Sequence, residues 1–422
     1  MINKVYFSNK NEQISENVDI LILGGGMVGL SLAYQLANTN RDFKIKILDK
    51  EKELGLHNSG RNSGVLHAGI YYKPGSLRAK VCVDGAKRLK EWCLTQGLEV
   101  LQCGKVIVTQ RPDQKKELDL LMKRATQNGA KVEFIERNDL KQYSNEIFCA
   151  TEKALWSPNT CVVDPKAVIK RLRKKVDDQG VELELGVKFS EINPEKRILK
   201  YQTNGIEKNI SYGHFFNCAG IHTDEVAKKF NICENYKIFP FKGIYWKLKP
   251  NAPFEFRTNV YPVPDLNVPF LGVHVTPNVN GEVFLGPTAI PAFGKENYNS
   301  LDNLEPFLTA NFFANLGLQW IKNQNGFRRY AREQALQGLK PFFMESAKNL
   351  IPSLKDEHLI KSTKAGIRAQ LFDIEKKELI QDFKLVNSEN STHILNAISP
   401  AFTASFALAD LIIERSQIFY KS

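Results

Sequence analysis

Residues 18–50 read VDILILGGGMVGLSLAYQLANTNRDFKIKILDK. The apolar run at 18–23 ends in the turn GGGMVG, and a helical spacing of apolar residues follows from residue 30. A second strand-like segment, KIKILDK at 44–50, carries the acid Asp49 near its end. A short apolar run, a helix and another short apolar run are typical of a β-α-β unit with parallel strands. We therefore predict an α/β fold that begins at residue 18.

The glycines of this stretch are spaced as G-x-G-x-x-G, at Gly24, Gly26 and Gly29. In a β-α-β unit the first glycine makes the tight turn, the second lets the backbone approach a pyrophosphate, and the third lets helix and strand pack closely. Asp49, at the end of the second strand, is placed to bind ribose hydroxyls and disfavours a 2′-phosphate. A tight turn without a ligand is the alternative. Because the acid is in place, we interpret the motif as a dinucleotide site.

The totals exclude several classes of protein. The 422 residues carry a formal net charge of +12, but the lysines are dispersed and no nucleic-acid module is visible. The seven cysteines form no CxxC pair, which argues against a zinc site or a disulfide framework and predicts a reducing compartment. The polar start of the chain has no apolar core of a secretory signal, so we expect a cytoplasmic protein. No metal is predicted.

Two later segments fit the same parallel sheet. HFFNCAGIHTDEVAKKF (214–230) is typical of a strand followed by a helix, and HILNAISPAFTAS (393–405) repeats the pattern. A nicotinamide site is usually completed within one compact domain, so the scattered segments favour FAD. In the second segment we predict a helix that begins at Pro400, with its positive end near a reduced flavin. An ordinary capped helix is the alternative.

The middle of the chain has a different composition. Residues 239–290 are rich in aromatics, valine, proline and glycine, which predicts antiparallel strands that cover a substrate. We therefore expect α/β (α+β overall) architecture: a Rossmann-like FAD-binding domain assembled from discontinuous segments, and an antiparallel-sheet substrate domain. The expected FAD-binding segments are 18–86, 147–238 and 347–422, and the expected substrate-binding segments are 87–146 and 239–346.

Six motifs resemble, in their order, those of one known family. They are GGGMVGLSLAYQLA, SGRNSGVLHAGIYYKPGSLRAKVC, NCAGIHTDEVA, PFKGIYW, YPVPDLNVPFLGVHVTPNVNGEVFLGPTAI and AGIRAQLFD…NAISPAFTAS. The chain resembles the L-2-hydroxyglutarate dehydrogenases/oxidases, FAD enzymes of the D-amino-acid-oxidase-like superfamily, over nearly all of residues 18–415. Two positions depart from the pattern: Ile244 stands where close relatives have an acid, and Pro165 stands where a tyrosine is frequent.

The resemblance implies where the cofactor binds. The loop SGRNSGVLHAGIYYKPG (59–75) would run beneath the flavin, because its glycines and small polar residues let the backbone come close. The expected cofactor contacts are Gly24, Gly26, Met27, Val28, Gly29, Asp49, Lys50, Ser59, Asn62, Ser63, Gly64, Val65, Val187, Ala219, Gly220, Ser399, Pro400 and Ala401.

Oxidation of a 2-hydroxy acid needs a group that holds the carboxylate and a base that takes the hydroxyl proton. Arg368, in AGIRAQL, matches the superfamily's arginine and has the planar fork that binds a carboxylate through two hydrogen bonds. Histidine is the natural base near neutral pH. We favour His67 as the base and His274 as a substrate hydrogen-bond partner or alternative base. Covalent attachment of FAD to His67 is a further alternative.

Four other side chains are candidates for the site. Tyr71, Tyr72 and Tyr261 are expected to line the pocket and donate to the carboxylates, with core packing as the alternative for one of them. Lys242 resembles the basic residue of the superfamily's P-x-[RK]-G strand and is expected near flavin N5, with an exposed sheet position as the alternative.

Reduced flavin must pass its electrons to oxygen or to a diffusible acceptor such as quinone. The uncharged stretch 20–37 is long enough for a membrane span, but its glycines favour a strand, a turn and a helix. The basic aromatic segment 305–346, with Arg328, Arg329 and Arg332, is a candidate for peripheral contact with the cytoplasmic face of the inner membrane. An amphipathic layer over the substrate sheet is the alternative.

Three functions fit these observations. The first is FAD-dependent oxidation of L-2-hydroxyglutarate, or a close 2-hydroxy dicarboxylate, to the 2-oxo acid. The second is oxidation of amino acids or secondary amines on the same fold. The third, of another class, is a flavin-binding subunit without turnover of its own.

Overall fold

The computed structural model of the chain describes residues 14–266, 271–299, 301–322 and 327–418, except for the side chains of residues 327, 329 and 330. The polar start of the chain (1–13), Pro269 and Phe270 of the PFLGVH motif and the side chain of Arg329 lie outside the described residues.

The described strands are β1 Glu16–Leu23, β2 Ile45–Leu48, β3 Val65–Leu66, β4 Val100–Leu101, β5 Lys105–Val108, β6 Glu133–Glu136, β7 Lys153–Ser157, β8 Cys161–Val163, β9 Glu182–Glu184, β10 Lys188–Asn193, β11 Ile198–Thr203, β12 Ile206–Asn217, β13 Tyr236–Leu248, β14 Asn259–Pro262, β15 His274–Pro277, β16 Val283–Gly286, β17 Ile290–Pro291, β18 Leu359–Asp373, β19 Glu378–Leu379, β20 Leu385–Ser388 and β21 Ser391–Ile394. The described α-helices are α1 Met27–Thr39, α2 Asn58–Arg61, α3 Leu77–Thr95, α4 Lys115–Gln127, α5 Pro165–Asp178, α6 Thr223–Lys228, α7 Pro306–Lys322, α8 Phe327–Leu336, α9 Lys340–Lys348 and α10 Ser405–Ser416.

The β-α-β unit read from residues 18–50 is confirmed. Strand β1 lies parallel to β2, with Ile20 opposite Ile45, and parallel to β12 on its other side. Helix α1 follows β1 directly and buries Leu30, Ala33 and Leu36 in the same core cluster as the strands. This apolar burial holds the helix against the sheet, and so places its N-terminus at the carboxyl end of β1.

The sheet around β1 is assembled from distant segments, as predicted. Its order is β10-β11-β12-β1-β2-β9, and β21, from the end of the chain, lies parallel to β12 with β20 beside it. Carboxyl ends of β1, β2, β12 and β21 therefore meet at one edge, although they come from three separate parts of the sequence. Ligands of open α/β sheets bind at that edge.

The second large sheet is mainly antiparallel, in the order β19-β18-β13-β16-β15-β14-β5-β7-β6 with β17 on β13. Its longest pairing joins β13 to β18, with Lys242 opposite Ile367. Strands β7 and β18 belong to this sheet, whereas the expected segment boundaries group them with the FAD-binding part. The division into two domains stays a prediction.

The predicted helix at Pro400 is wrong in its start, because α10 begins at Ser405. Residues before it form turns, with the Ala401 N–H bonded to the Ile398 carbonyl and the Ala404 N–H bonded to the Pro400 carbonyl. The Thr403 hydroxyl also donates to the Val65 carbonyl and accepts from the His67 N–H. These side-chain bonds tie the segment to the 59–75 loop, and the regular helix starts after them.

The uncharged stretch 20–37 is divided between β1 and α1. Within the part of the chain that the structure describes, no helix has both the length and the apolar character that a membrane crossing needs.

Candidate active site

A cavity of about 1010 Å³ lies between the two large sheets. Gly24, Gly26, Asp49, Ser59 and Ala219 line part of it, which we call the glycine wall. His67, Tyr261, His274 and Arg368 line another part, which we call the histidine wall. A large cleft lined both by ionisable groups and by a glycine turn is typical of a cofactor-dependent enzyme.

The glycine turn approaches the neighbouring strand so closely that a side chain does not fit. A Cβ on Gly24, whose φ is +109°, would lie 2.3 Å from the Cys218 carbonyl oxygen. A Cβ on Gly29 would lie 2.0 Å from the Gly24 carbonyl oxygen. These two glycines therefore let the turn pack tightly against the end of β12 and the start of α1, as in a dinucleotide-binding turn.

Two polar side chains brace this turn. The Asp49 carboxylate accepts from the Gly25 N–H at 2.7 Å and from the Glu51 N–H at 2.9 Å. The Ser59 hydroxyl accepts from the N–H of Met27, the first residue of α1, at 2.9 Å. Both side chains line the cavity, so the positive end of α1 faces it with polar groups already in place.

Most of the expected cofactor contacts line this cavity. They are Gly24, Gly26, Met27, Val28, Asp49, Lys50, Ser59, Asn62, Ser63, Val65, Val187, Ala219, Gly220, Ser399, Pro400 and Ala401. The cavity wall does not include Gly29 or Gly64, which serve packing. Gly64, with φ +77°, would place a Cβ 2.0 Å from the Val163 carbonyl oxygen.

Sequence reasoning missed an ionic cluster on the cavity wall. Glu296, from the loop after β17, contacts Lys50 at 2.7 Å and His222 at 2.7 Å. Burial alone would lower the pKa of His222, but hydrogen bonds to Glu225 and Glu296 raise it to about 9. The cluster joins the loop after β2 to the loop after β17. No local motif marks it, because its members lie far apart in the sequence.

His274 has a defined tautomer on the histidine wall. Its Nδ1 lies 2.9 Å from the Gly272 carbonyl oxygen, which only accepts, so Nδ1 carries the proton and Nε2 keeps its lone pair. The ring stacks on Tyr261 with centroids 3.9 Å apart. Burial lowers the pKa of His274 to about 3; the hydrogen bond to Gly272 opposes this effect, and the nearby charge of Lys105 adds to it. The imidazole is therefore neutral at physiological pH.

His67 is held by its backbone. Its N–H donates to Thr403 and its carbonyl accepts from the Cys82 thiol. Burial holds the pKa of His67 well below its usual range, and the charge of Lys105 lowers it further. Both histidines thus share one apolar, cationic environment.

Three of the expected substrate residues lie elsewhere. Tyr71 and Tyr72 are buried in apolar clusters and do not line the cavity. Lys242 also stays off the wall and donates to the Asn297 side chain at 2.9 Å. Neighbours of Lys242 on β13, Gly243 and Tyr245, line the cavity instead, because side chains alternate between the faces of a strand. Other wall residues that the sequence did not indicate are Arg61, Thr288, Tyr298 and Gln334.

The FAD dependent oxidoreductase family model (DAO) matches residues 19–415. The L-2-hydroxyglutarate dehydrogenase of Indibacter alkaliphilus is 35% identical over 404 residues, which cover 94% of this chain and 98% of that protein. The human mitochondrial L-2-hydroxyglutarate dehydrogenase is 33% identical, with 96% of this chain and 89% of that protein covered. The chain therefore belongs to the FAD-dependent oxidoreductases and, among them, to the L-2-hydroxyglutarate dehydrogenase family.

Solved structures bear out the fold. The L-α-glycerophosphate oxidase of Mycoplasma pneumoniae superposes with a TM-score of 0.74 at 19% identity, with 95% of each chain covered. The glycine oxidase of Geobacillus kaustophilus superposes with a TM-score of 0.69 at 14% identity, with 97% of this chain and 96% of that chain covered.

FAD is the cofactor of this family, and the cavity fits it. The turn at Gly24 and Gly26 leaves room for a pyrophosphate, and Asp49 lies at the end of β2, where a ribose would bind. The segment Ser399–Ala401 forms another part of the same wall.

Proposed function

We propose that this enzyme oxidises L-2-hydroxyglutarate, or a close 2-hydroxy dicarboxylate, to the 2-oxo acid. The observation that carries the proposal is that Arg368, His67 and His274 line the same cavity as the glycine turn that fits FAD. These are the groups that a 2-hydroxy acid requires: a fork for its carboxylate and a neutral base for its hydroxyl proton.

Arg368 lies on β18 next to Ile367, which faces Lys242 in the β13–β18 pairing. Its position within a long paired strand fixes the direction in which the guanidinium leaves the sheet. A planar guanidinium binds a carboxylate through two parallel hydrogen bonds, so it orients the substrate as well as attracting it. We assign the carboxylate beside the reacting carbon to Arg368.

The base in this proposal is His274, which accepts the hydroxyl proton at Nε2. The sequence favoured His67, but the hydrogen bond from His274 Nδ1 to the Gly272 carbonyl supports His274, because it holds the ring with its lone pair on Nε2. The low pKa keeps this lone pair available at neutral pH and favours release of the proton after turnover. His67 is then a partner of the substrate on the same wall.

When bound, FAD supplies the acceptor of the hydride that leaves the hydroxyl-bearing carbon. The electron pair of the C–H bond would leave with the hydride, the O–H proton would go to His274, and the electron pair of the O–H bond would form the second carbon–oxygen bond. Tyr261 supports the His274 ring from one face by stacking.

A direct assay tests the proposed substrate. The FAD-loaded enzyme is incubated with L- or D-2-hydroxyglutarate and an artificial electron acceptor, and 2-oxoglutarate is quantified. We expect product from the L-enantiomer and none above background from the D-enantiomer. Equal rates with both enantiomers, or none with either, would refute the proposed substrate.

We also propose that the electron acceptor is a diffusible quinone or oxygen, with the enzyme in the cytoplasm and in peripheral contact with the membrane. Support comes from α7 and α8, where Phe307 is 92% exposed and Ile321 is 70% exposed, and where Arg328 and Arg332 are also exposed. The Arg328 guanidinium donates to the Ile321 carbonyl at 3.0 Å. Apolar side chains beside arginines suit an anionic lipid surface. By contrast, Phe312 is fully buried, so part of this segment covers the sheet.

Sedimentation with vesicles tests the membrane contact. The enzyme is mixed at low salt with vesicles of anionic or of neutral phospholipid. We expect it to sediment with the anionic vesicles, and Phe307→Ser together with Ile321→Ser to reduce that fraction. An enzyme that stays in the supernatant with both vesicle types would exclude membrane contact.

A further inference from the structure

Behind the histidine wall lies a lysine that the proposed reaction does not use. Lys105, the first residue of β5, is 0% exposed. Its ammonium has neither a hydrogen-bond acceptor nor a carboxylate partner among the described residues. A buried ammonium without such a partner is costly, so its position calls for an explanation.

The lysine lies against aromatic rings that lead to the site. Its Nζ is 4.5 Å from the centroid of the Tyr261 ring and 5.1 Å from that of Tyr71. The Tyr261 ring also stacks on His274, with centroids 3.9 Å apart. Strand pairing sets this arrangement, because Asn259 of β14 faces Lys105 and Tyr261, two residues on, leaves the sheet on the same side.

Among the described residues, the titratable groups that interact with this lysine are two thiols, two phenols and two imidazoles. They are Cys82 of α3, Cys103 before β5, His67 and Tyr71 of the 59–75 loop, Tyr261 of β14 and His274 of β15. The charge of Arg78 of α3 acts on Cys82 and His67 in the same region. No carboxylate in the described part of the chain belongs to this group. The charge of Lys105 is therefore not neutralised locally, and it acts on the two histidines across a medium of low dielectric constant.

We propose that Lys105 is a positioning residue whose charge adds to the effect of burial in disfavouring the protonated forms of His67 and His274, without touching the substrate. The role deepens the proposed function, since a histidine that accepts a hydroxyl proton must first be neutral. Burial lowers the pKa of Lys105 itself to about 8, so the residue is mainly charged at pH 7 and loses its charge as the pH rises through about 8.

Three forms of the FAD-loaded enzyme test this role: the wild type, Lys105→Met and Lys105→Arg. Each is labelled with ¹⁵N-histidine, and the ring signals of the seven histidines are followed from pH 4.5 to 9.5. The ring ¹⁵N shift averages over protonation states, so a small imidazolium fraction is measurable. The pH dependence of kcat is recorded in parallel.

In Lys105→Met, we expect protonation of His67 and His274 to begin about one pH unit higher than in the wild type. The acid limb of kcat should move in the same direction. In Lys105→Arg both should stay as in the wild type, because an arginine keeps the charge. If Lys105→Met fails to bind FAD, Lys105→Gln takes its place.

The wild-type enzyme also tests the role of Lys105 without replacing the lysine by an uncharged residue. As Lys105 loses its proton, the His67 and His274 signals should show a small second inflection near pH 8. That inflection should be absent from Lys105→Arg, whose side chain does not titrate in this range. Histidine signals that titrate at the ordinary value in the wild type, or that are the same in the neutral variant, would overturn the role. An enzyme with these shifts that does not oxidise 2-hydroxyglutarate would refute the proposed function and leave the role of Lys105 standing.

Discussion

The two walls of the cavity recognise their ligands by different means. The glycine wall presents backbone, because the turn at Gly24 has no room for a Cβ and the polar side chains of Asp49 and Ser59 bond to its N–H groups. The histidine wall presents side chains, each from a different element: His67 from a loop, Tyr261 from β14, His274 from β15 and Arg368 from β18.

This difference separates binding from chemistry. Recognition by backbone depends on shape. Cofactor binding should therefore be lost when an atom is added at the turn, and most other substitutions should have little effect on it. Side-chain recognition depends on charge and protonation, so single functional groups should alter catalysis and leave cofactor binding intact. Substitutions in each wall test that separation, from the largest expected effect to the smallest.

Gly24→Ala should abolish FAD binding. The added Cβ would lie 2.3 Å from the Cys218 carbonyl oxygen, and the positive φ of +109° is strained for alanine. We expect a loss of about 3 kcal/mol in the free energy of unfolding and nearly flavin-free protein. The matched control is Gly97→Ala, where φ is also positive but nothing lies within 4 Å. Flavin absorbance per chain measures the result, and equal flavin content in the two variants would contradict it.

His274→Gln should lower kcat about 100- to 10,000-fold, because a glutamine does not accept the hydroxyl proton. The FAD content should match that of the wild type. His67→Gln is the comparison, and we expect a smaller loss of kcat. Single-turnover rates of flavin reduction decide between the two, and a larger loss in His67→Gln would transfer the role of base to His67.

Arg368→Lys should raise KM and lower turnover, with kcat/KM reduced about 100-fold or ~3 kcal/mol. A point charge does not reproduce the bidentate geometry of a guanidinium. Arg88→Lys, at a partly exposed arginine paired with Asp410, serves as the control and should match the wild type. Unchanged kinetics of Arg368→Lys would remove Arg368 from the substrate site.

His222→Gln should change the pH dependence of stability. Because folding raises the pKa of His222 from 6.5 to about 9, the stabilising contribution is complete below pH 6.5 and is lost as the pH rises through 9. We expect the wild type to exceed His222→Gln by on the order of 1 kcal/mol near pH 6 and to match it near pH 10. Thermal melts across this range measure it; a constant difference would show that the His222–Glu296 contact is not ionic.

The glycine wall could be predicted almost residue by residue. The motif around Gly24, the acid Asp49 and the small residues of the 59–75 loop are local signals, because the shape of a turn is encoded where the turn occurs. The start of α10 could not be predicted, because side-chain hydrogen bonds from Thr403 to another segment decide where the helix begins.

The histidine wall could be predicted only in part. Resemblance to the family selected His67, His274 and Arg368, but it also selected Tyr71, which lies in the core, and Lys242, which faces away. Which side of a strand faces the cavity depends on register with distant strands. The absence of a described acid partner for Lys105 is likewise a property of the folded protein that no local pattern contains.

The central claim is that the glycine wall holds FAD while the histidine wall binds a 2-hydroxy dicarboxylate, which reduces the flavin. Anaerobic mixing tests this claim most directly. The FAD-loaded enzyme is mixed without oxygen with L-2-hydroxyglutarate, D-2-hydroxyglutarate, a 2-hydroxy monocarboxylate, and a panel of amino acids and secondary amines, and the flavin absorbance is followed. We predict rapid bleaching by L-2-hydroxyglutarate alone. Bleaching by an amine or amino acid would assign the amine-oxidase activity instead, and bound FAD that none of these compounds bleaches would contradict the claim of turnover.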